Sequence, residues 1–549
     1  MTPREGLPDR KALRAASALL GLVLLAGAGA CSGGGDESGG GPAATYRPGT
    51  LRVLASSELS DMKPVLEQAR KETGVTVQPT WTGTLDAVEQ IASGQADGKY
   101  DAVWLSSNDY LRLRPGVAPK LTSETPVMSS PVALGVKRET VAALGWQPEA
   151  VTWSQVHQAV AAGKLTYGMT DPVRSNSGFS ALVSVASALS GAQAALTDAD
   201  VRRATPRLKE FFAGQKLTSG SSGWLATAYT RRGTVDALVN YESVLLSMNR
   251  DSKAGLTVIR PRDGVVTADY PLTLLTGAPE GARESMRLLT GYLRSPEAQG
   301  ALTGQTFRRP VVSGVTPAPG LAADKRRELP FPGSRSVADG LLASYENDLR
   351  RPSRTVYVLD TSGSMAEDDR LGQLKSALAE LTGTGSSPPG QRFRDREEVT
   401  LMPFGSKVKR VRTHTVEPGD PSAALDAIRA DARSMTADGD TAIYSSLQEA
   451  YRRLDQGDGD AFTSIVLMTD GENTRGTNAG DFDAFYAGLP HAQRSTPVFT
   501  VLFGDSDRAE LEHIASLTGG RLFDATDGAG GTGGKSSLDG AFEEIRGYQ

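Results

Sequence analysis

A single cysteine, Cys31, stands in a chain of 549 residues, so no disulfide can form within it. Histidine is almost as scarce. His157, His414, His491 and His513 lie far apart, and with one thiol they cannot assemble a zinc-type cluster. No basic block occurs and the net charge is −5, which argues against a nucleic-acid partner. The Gly-x-Ser-x-Gly elbow, the His-Glu-x-x-His helix and a cysteine nucleophile are all missing. Those absences point to a protein that is not an enzyme. Long apolar runs are missing too: the stretch over residues 15–26 is too short to span a bilayer.

What is present is ordinary globular material, 39% apolar and 22% charged, in a length that calls for more than one domain. Arg4, Arg10, Lys11 and Arg14 precede the apolar run, and small residues over 27–30 lead into Cys31. That is a secretion signal in outline. It resembles a bacterial lipoprotein signal, which implies a signal peptide over residues 1–30 and Cys31 as the lipidated first residue of the mature chain. Ala28 departs from the family, which usually has leucine three before the cysteine. An ordinary cleaved signal with a chance cysteine is the alternative. Residues 31–49 are rich in Gly and Ser without periodicity and read as a flexible tether. The expected location is the extracytoplasmic face of the cell membrane, held by the lipid.

From residue 51 the texture changes. Strands are expected over 51–55, 75–79, 100–105, 131–137, 165–169 and 235–240, with helices between them. That alternation predicts parallel sheets covered by helices. Several strand ends carry small polar groups: Ser56 and Ser57, then Ser107 and Asn108. Ser175, Asn176 and Ser177 start a helix, and Tyr241 follows a late strand. Hydroxyls and free N–H groups at helix starts can hold an anion. Ser56, Ser107 and Ser175 could equally be plain N-caps, since capping and ligand binding use the same residue types. The order and texture of residues 50–335 resemble the type 2 periplasmic solute-binding fold, two α/β lobes around a cleft. The resemblance implies a small-molecule ligand between the lobes.

Residues 310–335 are rich in Pro, Gly and basic side chains and read as a boundary, and 336–353 as a linking helix. The rest, 354–549, is organised around residues 355–365. There a β-branched apolar run ends on Asp360, and Ser362 and Ser364 follow at alternate positions. Leu371, Leu374, Leu378 and Leu381 then keep helical spacing. One carboxylate and two hydroxyls at a strand end suit a hard divalent cation. Thr441 sits just ahead of an expected helix over 442–454, and an apolar strand over 464–470 ends on Asp470. Pro403, in a strand expected over 399–404, suggests an edge or a strand end.

Together these positions resemble the metal-ion-dependent adhesion site of von Willebrand factor A domains. The resemblance implies a Rossmann-like α/β domain in which Asp360, Ser362, Ser364, Thr441 and Asp470 bind Mg2+, or Ca2+ or Mn2+. A partner protein's acidic group would complete the metal's shell. Two other motifs are weaker. Residues 529–536 are one substitution from a P-loop, with Ala529 for the first glycine, and read better as a glycine linker. Asp455, Asp458 and Asp460 hint at a calcium loop, but its twelfth position is Val466 rather than glutamate. The reading is a surface-anchored binding protein with two recognition modules. Its alternative is solute capture for an ABC-type importer, with the second module as a docking piece.

Overall fold

The computed structural model describes residues 49–548 apart from 322, 324, 384–391, 455–460 and 527–536. Cys31, the signal and the tether up to residue 48 lie outside the described residues. So do the P-loop-like stretch and the 455–460 aspartates. Among the described residues no helix is long and apolar enough to cross a membrane.

Three sheets carry the fold. The first runs Thr76–Thr82, Thr50–Ser56, Ala102–Trp104, Pro271–Leu275, Leu121–Pro126, with Pro271–Leu275 antiparallel to both neighbours. The second is built on Ser130–Lys137, which pairs antiparallel with Ala237–Tyr241, and the latter runs parallel to Tyr167–Thr170. The expectation of purely parallel sheets is therefore corrected: each lobe is mixed. The chain passes between the lobes after Leu121–Pro126 and returns ahead of Pro271–Leu275, so each sheet receives a strand running against its neighbours. Such pairs join segments roughly 150 residues apart, beyond the reach of local periodicity.

The third sheet orders Arg412–Val416, Glu397–Phe404, Ser353–Asp360, Phe462–Thr469, Val498–Leu502, Leu522–Asp524 and is parallel except at its first strand. Its inner strands Ser353–Asp360, Phe462–Thr469 and Val498–Leu502 are largely apolar because both of their faces are buried. Tyr357, Leu359, Val466, Met468, Phe499 and Val501 pack on one side. Val356, Val358, Ile465, Leu467, Val498 and Leu502 pack on the other. Pro403 lies beyond the last pairing with Arg412–Val416, which ends at Leu401, so it disrupts no bond on that side.

The expected linking helix is the helix Arg335–Ser344 with a π-helical turn Tyr345–Leu349. It packs rather than bridges: Tyr110 donates to Asp339 Oδ1 at 2.8 Å, and the Tyr345 ring meets Phe212 edge-on at 5.1 Å. The C-terminal α/β region is likewise seated on the second lobe. Arg394 and Asp171, each nearly fully buried, pair at 2.9 Å, and Arg394 also pairs with Glu346 at 3.1 Å. Arg231 and Arg232, at the end of helix Ser222–Arg232, donate to the carbonyls of Gly520 and Gly519. Arg521 stacks 3.8 Å above the Trp224 ring. These contacts desolvate fixed charges, and they hold the loop leading to Ser175 against the C-terminal region.

Candidate metal centre and cleft

The strand Ser353–Asp360 delivers Asp360 to the carboxyl edge of the third sheet, where loops of an open α/β sheet form their crevice. Asp360 is fully buried. Its Oδ1 accepts the Ser362 N–H at 2.8 Å and its Oδ2 accepts Thr469 Oγ1 at 2.5 Å. Burial pushes its carboxyl above the ordinary range, against those hydrogen bonds, and nearby Asp470 adds to the rise. Ser362 Oγ and Ser364 Oγ stand 3.1 Å apart, and Ser364 Oγ donates to Asp470 Oδ1 at 2.9 Å.

Thr441 arrives from a separate loop. The Gly363 N–H donates to Gly439 O and the Asp438 N–H to Thr361 O, both at 2.9 Å, which ties that loop to the metal loop. Gly439 has φ +84°, and a Cβ there would come within 2.8 Å of Ser406 Oγ, so the turn requires glycine. A Cβ built on Gly471 would lie 3.9 Å from both Ser364 Oγ and Thr441 Oγ1, which puts these two hydroxyls around one point. Thus Asp360, Ser362, Ser364, Thr441 and Asp470 come together as an all-oxygen donor set. Such a set suits Mg2+, Mn2+ or Ca2+ rather than a soft metal. Among the described residues no cluster of three or more His, Cys, Asp or Glu could hold a metal, so any ion here depends on the hydroxyls.

Two basic residues at this centre escaped the sequence reading. Lys409 Nζ donates to Thr361 O at 2.9 Å and to Thr436 O at 3.1 Å, clamping the two loops. Arg370 donates to Asp470 Oδ2 at 2.9 Å and to Asp505 Oδ2 at 2.6 Å. One local signal marks Arg370: it is the first residue of helix Arg370–Leu381, where the helix dipole disfavours a cation.

The cleft candidates gather into two hydroxyl networks. In the first lobe Ser56 Oγ bonds Thr84 Oγ1 at 2.7 Å, Thr84 bonds Ser106 at 3.1 Å, and Ser106 donates to Glu58. Burial raises the Glu58 carboxyl, against the Ser106 bond. In the second lobe Ser177 bonds Thr170 at 2.8 Å, Ser175 at 3.1 Å and Ser222 at 2.7 Å. In the same lobe the buried Tyr241 hydroxyl accepts from Asn176 Nδ2 at 3.0 Å. The lobes meet where the Leu85 N–H reaches Arg174 O at 3.4 Å and Arg174 pairs with Asp86 at 3.2 Å.

Ser56 and Ser175 occupy N-cap positions, yet neither side chain makes a capping bond. Ser107 Oγ accepts the Asp109 N–H at 3.1 Å and does behave as a local cap. Asn108 is turned into the first lobe, donating to Glu124 and Thr273. Ser57 Oγ is buried without a partner among the described residues. Arg308, also missed from the sequence, lies fully buried beside this network, paired with Asp61 and donating to Glu58 O at 3.1 Å.

Comparison with known proteins agrees with both halves. Residues 51–308 match the model of a bacterial extracellular solute-binding protein family, and residues 355–472 match the von Willebrand factor type A domain. A stretch of 179 residues is 30% identical to an uncharacterized protein of Synechocystis sp., covering 32% of this chain and 38% of that protein. The chain thus spans well under half the length of that relative. A stretch of 192 residues is 26% identical to the uncharacterized protein YwmC of Bacillus subtilis, covering 33% of this chain and 80% of that one.

Among solved structures, the periplasmic binding protein AfuA from Actinobacillus pleuropneumoniae, with fructose-6-phosphate bound, is 14% identical with a TM-score of 0.45. That likeness covers 55% of this chain and 98% of AfuA. The sulfate-binding protein SubI from Mycobacterium tuberculosis is 16% identical with a TM-score of 0.41, over 53% of this chain and 98% of SubI.

Proposed function

We propose that the solute-binding domain and the von Willebrand factor type A domain of this chain form a cell-surface binding protein. In this reading the type A domain binds a divalent cation and uses it to hold a partner protein. The convergence of Asp360, Ser362, Ser364, Thr441 and Asp470 carries the proposal. Mg2+ would be held by the two carboxylates and three hydroxyls, directly or through water. When bound, the ion would supply a positive centre that neutral hydroxyls and two carboxylates leave open to a further oxygen ligand, such as a carboxylate from outside. The residues themselves fix the donors: Thr469 orients Asp360, and Ser364 orients Asp470.

Capture of binding partners from intact cells tests the reading. Partners retained in Mg2+, released by a chelator and restored by fresh Mg2+ are the expected outcome; retention in chelator would contradict it. Membrane attachment through a lipid on Cys31 belongs to the same proposal, because the residues before Cys31 have the form of a secretion signal. The intact mass of the mature N-terminus should show a diacyl-type modification, since one acyl chain anchors only marginally. An unmodified mature N-terminus would remove the anchor. Solute capture for an importer is the second reading, favoured by the hydroxyl network that each lobe carries at the expected ligand positions.

A further inference from the structure

Arg370 sits where the local backbone gives it no support. Asp368 and Asp369, just ahead of it, both adopt left-handed conformations at φ +48° and +54°, uncommon for residues other than glycine. Arg370 itself opens a helix, against the dipole. Strain of this kind persists only where surrounding contacts hold it. Those contacts are all acidic. Arg370, only 8% exposed, reaches Asp470 at 2.9 Å, Asp505 at 2.6 Å and Asp368 at 3.6 Å. Gly504, at φ +56°, leaves room for the pair: a Cβ there would stand 3.0 Å from Asp470 Cβ and 3.1 Å from Arg370 Cζ.

The arrangement divides Asp470. Its Oδ1 faces the hydroxyl set through Ser364, while its Oδ2 is held by Arg370. An arginine cannot give up its charge here. We propose that Arg370 is a built-in counter-cation of the metal centre, which lowers its affinity for a divalent ion. The inference rests on the metal-binding reading above. The guanidinium offsets part of the charge of Asp470, while Asp505 and Asp368 take up part of its own, so the donors offer a divalent ion less net negative charge than two carboxylates alone would. In the ion-free protein the same guanidinium satisfies Asp470, which is 1% exposed and would otherwise be a buried, unpaired carboxylate.

The test is Mg2+ titration into the metal-stripped full chain, comparing wild type with Arg370→Gln and Arg370→Lys, alongside melting temperatures. A purely structural Arg370 and a counter-cation give opposite signs. Loss of a structural contact would weaken Mg2+ binding. Loss of a counter-cation should tighten it about tenfold in Arg370→Gln, while Arg370→Lys, which keeps the charge, stays within about threefold of wild type. Arg370→Gln should melt lower without metal and gain more from Mg2+ than wild type does, since an ion that binds the folded state stabilises it in proportion to its affinity.

Equal or weaker Mg2+ binding by Arg370→Gln, with wild type binding normally, would overturn the counter-cation and leave the metal site intact. No Mg2+ binding by any of the three proteins would overturn both. Binding by Arg370→Gln alone would support the inference in its strongest form. Should Arg370→Gln fail to fold, Asp505→Asn serves instead, because Asp505 is exposed. With the guanidinium resting on Asp470 alone, Mg2+ affinity should drop about threefold, and unchanged affinity would overturn the proposal.

Discussion

Replacing Arg546 with alanine is expected to destabilise the C-terminal α/β region by about 3–5 kcal/mol, the usual cost of stranding one member of a buried ion pair. Arg546 and Glu397 are both fully buried. They meet through two parallel contacts, the Nη2–Oε2 one at 2.6 Å. Arg546 also donates to Arg392 O at 3.0 Å and lies 5.3 Å from the Phe393 ring, so it fastens the last helix to the start of strand Glu397–Phe404. Burial alone would raise the Glu397 carboxyl; the Arg546 charge and hydrogen bond outweigh it and hold that carboxyl below its ordinary range. A depressed carboxyl contributes stability that is present above its unfolded pKa and lost as pH falls through the folded one.

In Arg546→Ala the sign reverses. Glu397 becomes a buried unpaired acid, costly when ionised and relieved on protonation. The deficit against wild type should therefore be largest at neutral pH and shrink on acidification below pH about 5. Denaturant unfolding at pH 7 and pH 4.5 measures both. A deficit below about 1 kcal/mol at pH 7, or one that grows on acidification, would show that the pair does not act as described.

The pattern of the third sheet is legible because burial on both faces leaves its inner strands largely apolar, and its loops carry chemistry at fixed offsets from the strand ends. Asp360 with Ser362 and Ser364, Thr441 ahead of its helix and Asp470 at a strand end can all be read locally, and the chain folds them onto one point. Arg370 could not be read this way. Its partners Asp470 and Asp505 are 100 and 135 residues distant, and nothing in the intervening sequence encodes that meeting. The strand Leu121–Pro126 was invisible for another reason: it is largely polar and half exposed, and it exists because Pro271–Leu275 returns from the other lobe to pair with it. Ser56 and Ser175 show a third limit. Sequence could not separate cap from ligand group; their hydroxyls turn from the helix starts into networks contributed by other segments.

Asp360→Ala is expected to reduce Mg2+ affinity on the order of 100-fold or more. Asp360 is the one carboxylate of the centre whose charge no arginine matches. Without it, Asp470, already paired with Arg370, is the one carboxylate left beside three hydroxyls, which bind Mg2+ weakly with so little net negative charge. Ser362→Ala and Thr441→Ala each remove a neutral donor and should weaken binding less. The metal-free fold should change little. The variant loses bonds to the Ser362 N–H and Thr469 Oγ1, but it also loses a buried acid whose raised pKa marks it as a cost at neutral pH. A raised carboxyl is most favourable below its unfolded pKa and loses that advantage as pH rises, so removing it relieves the protein above that range.

Isothermal titration of Mg2+ into the metal-stripped full chain, wild type beside Asp360→Ala, measures the central claim. Saturable binding at one site per chain in wild type, and none in Asp360→Ala at the same concentrations, is the expected result. Equal affinity in the two proteins, or no binding by wild type, would contradict it.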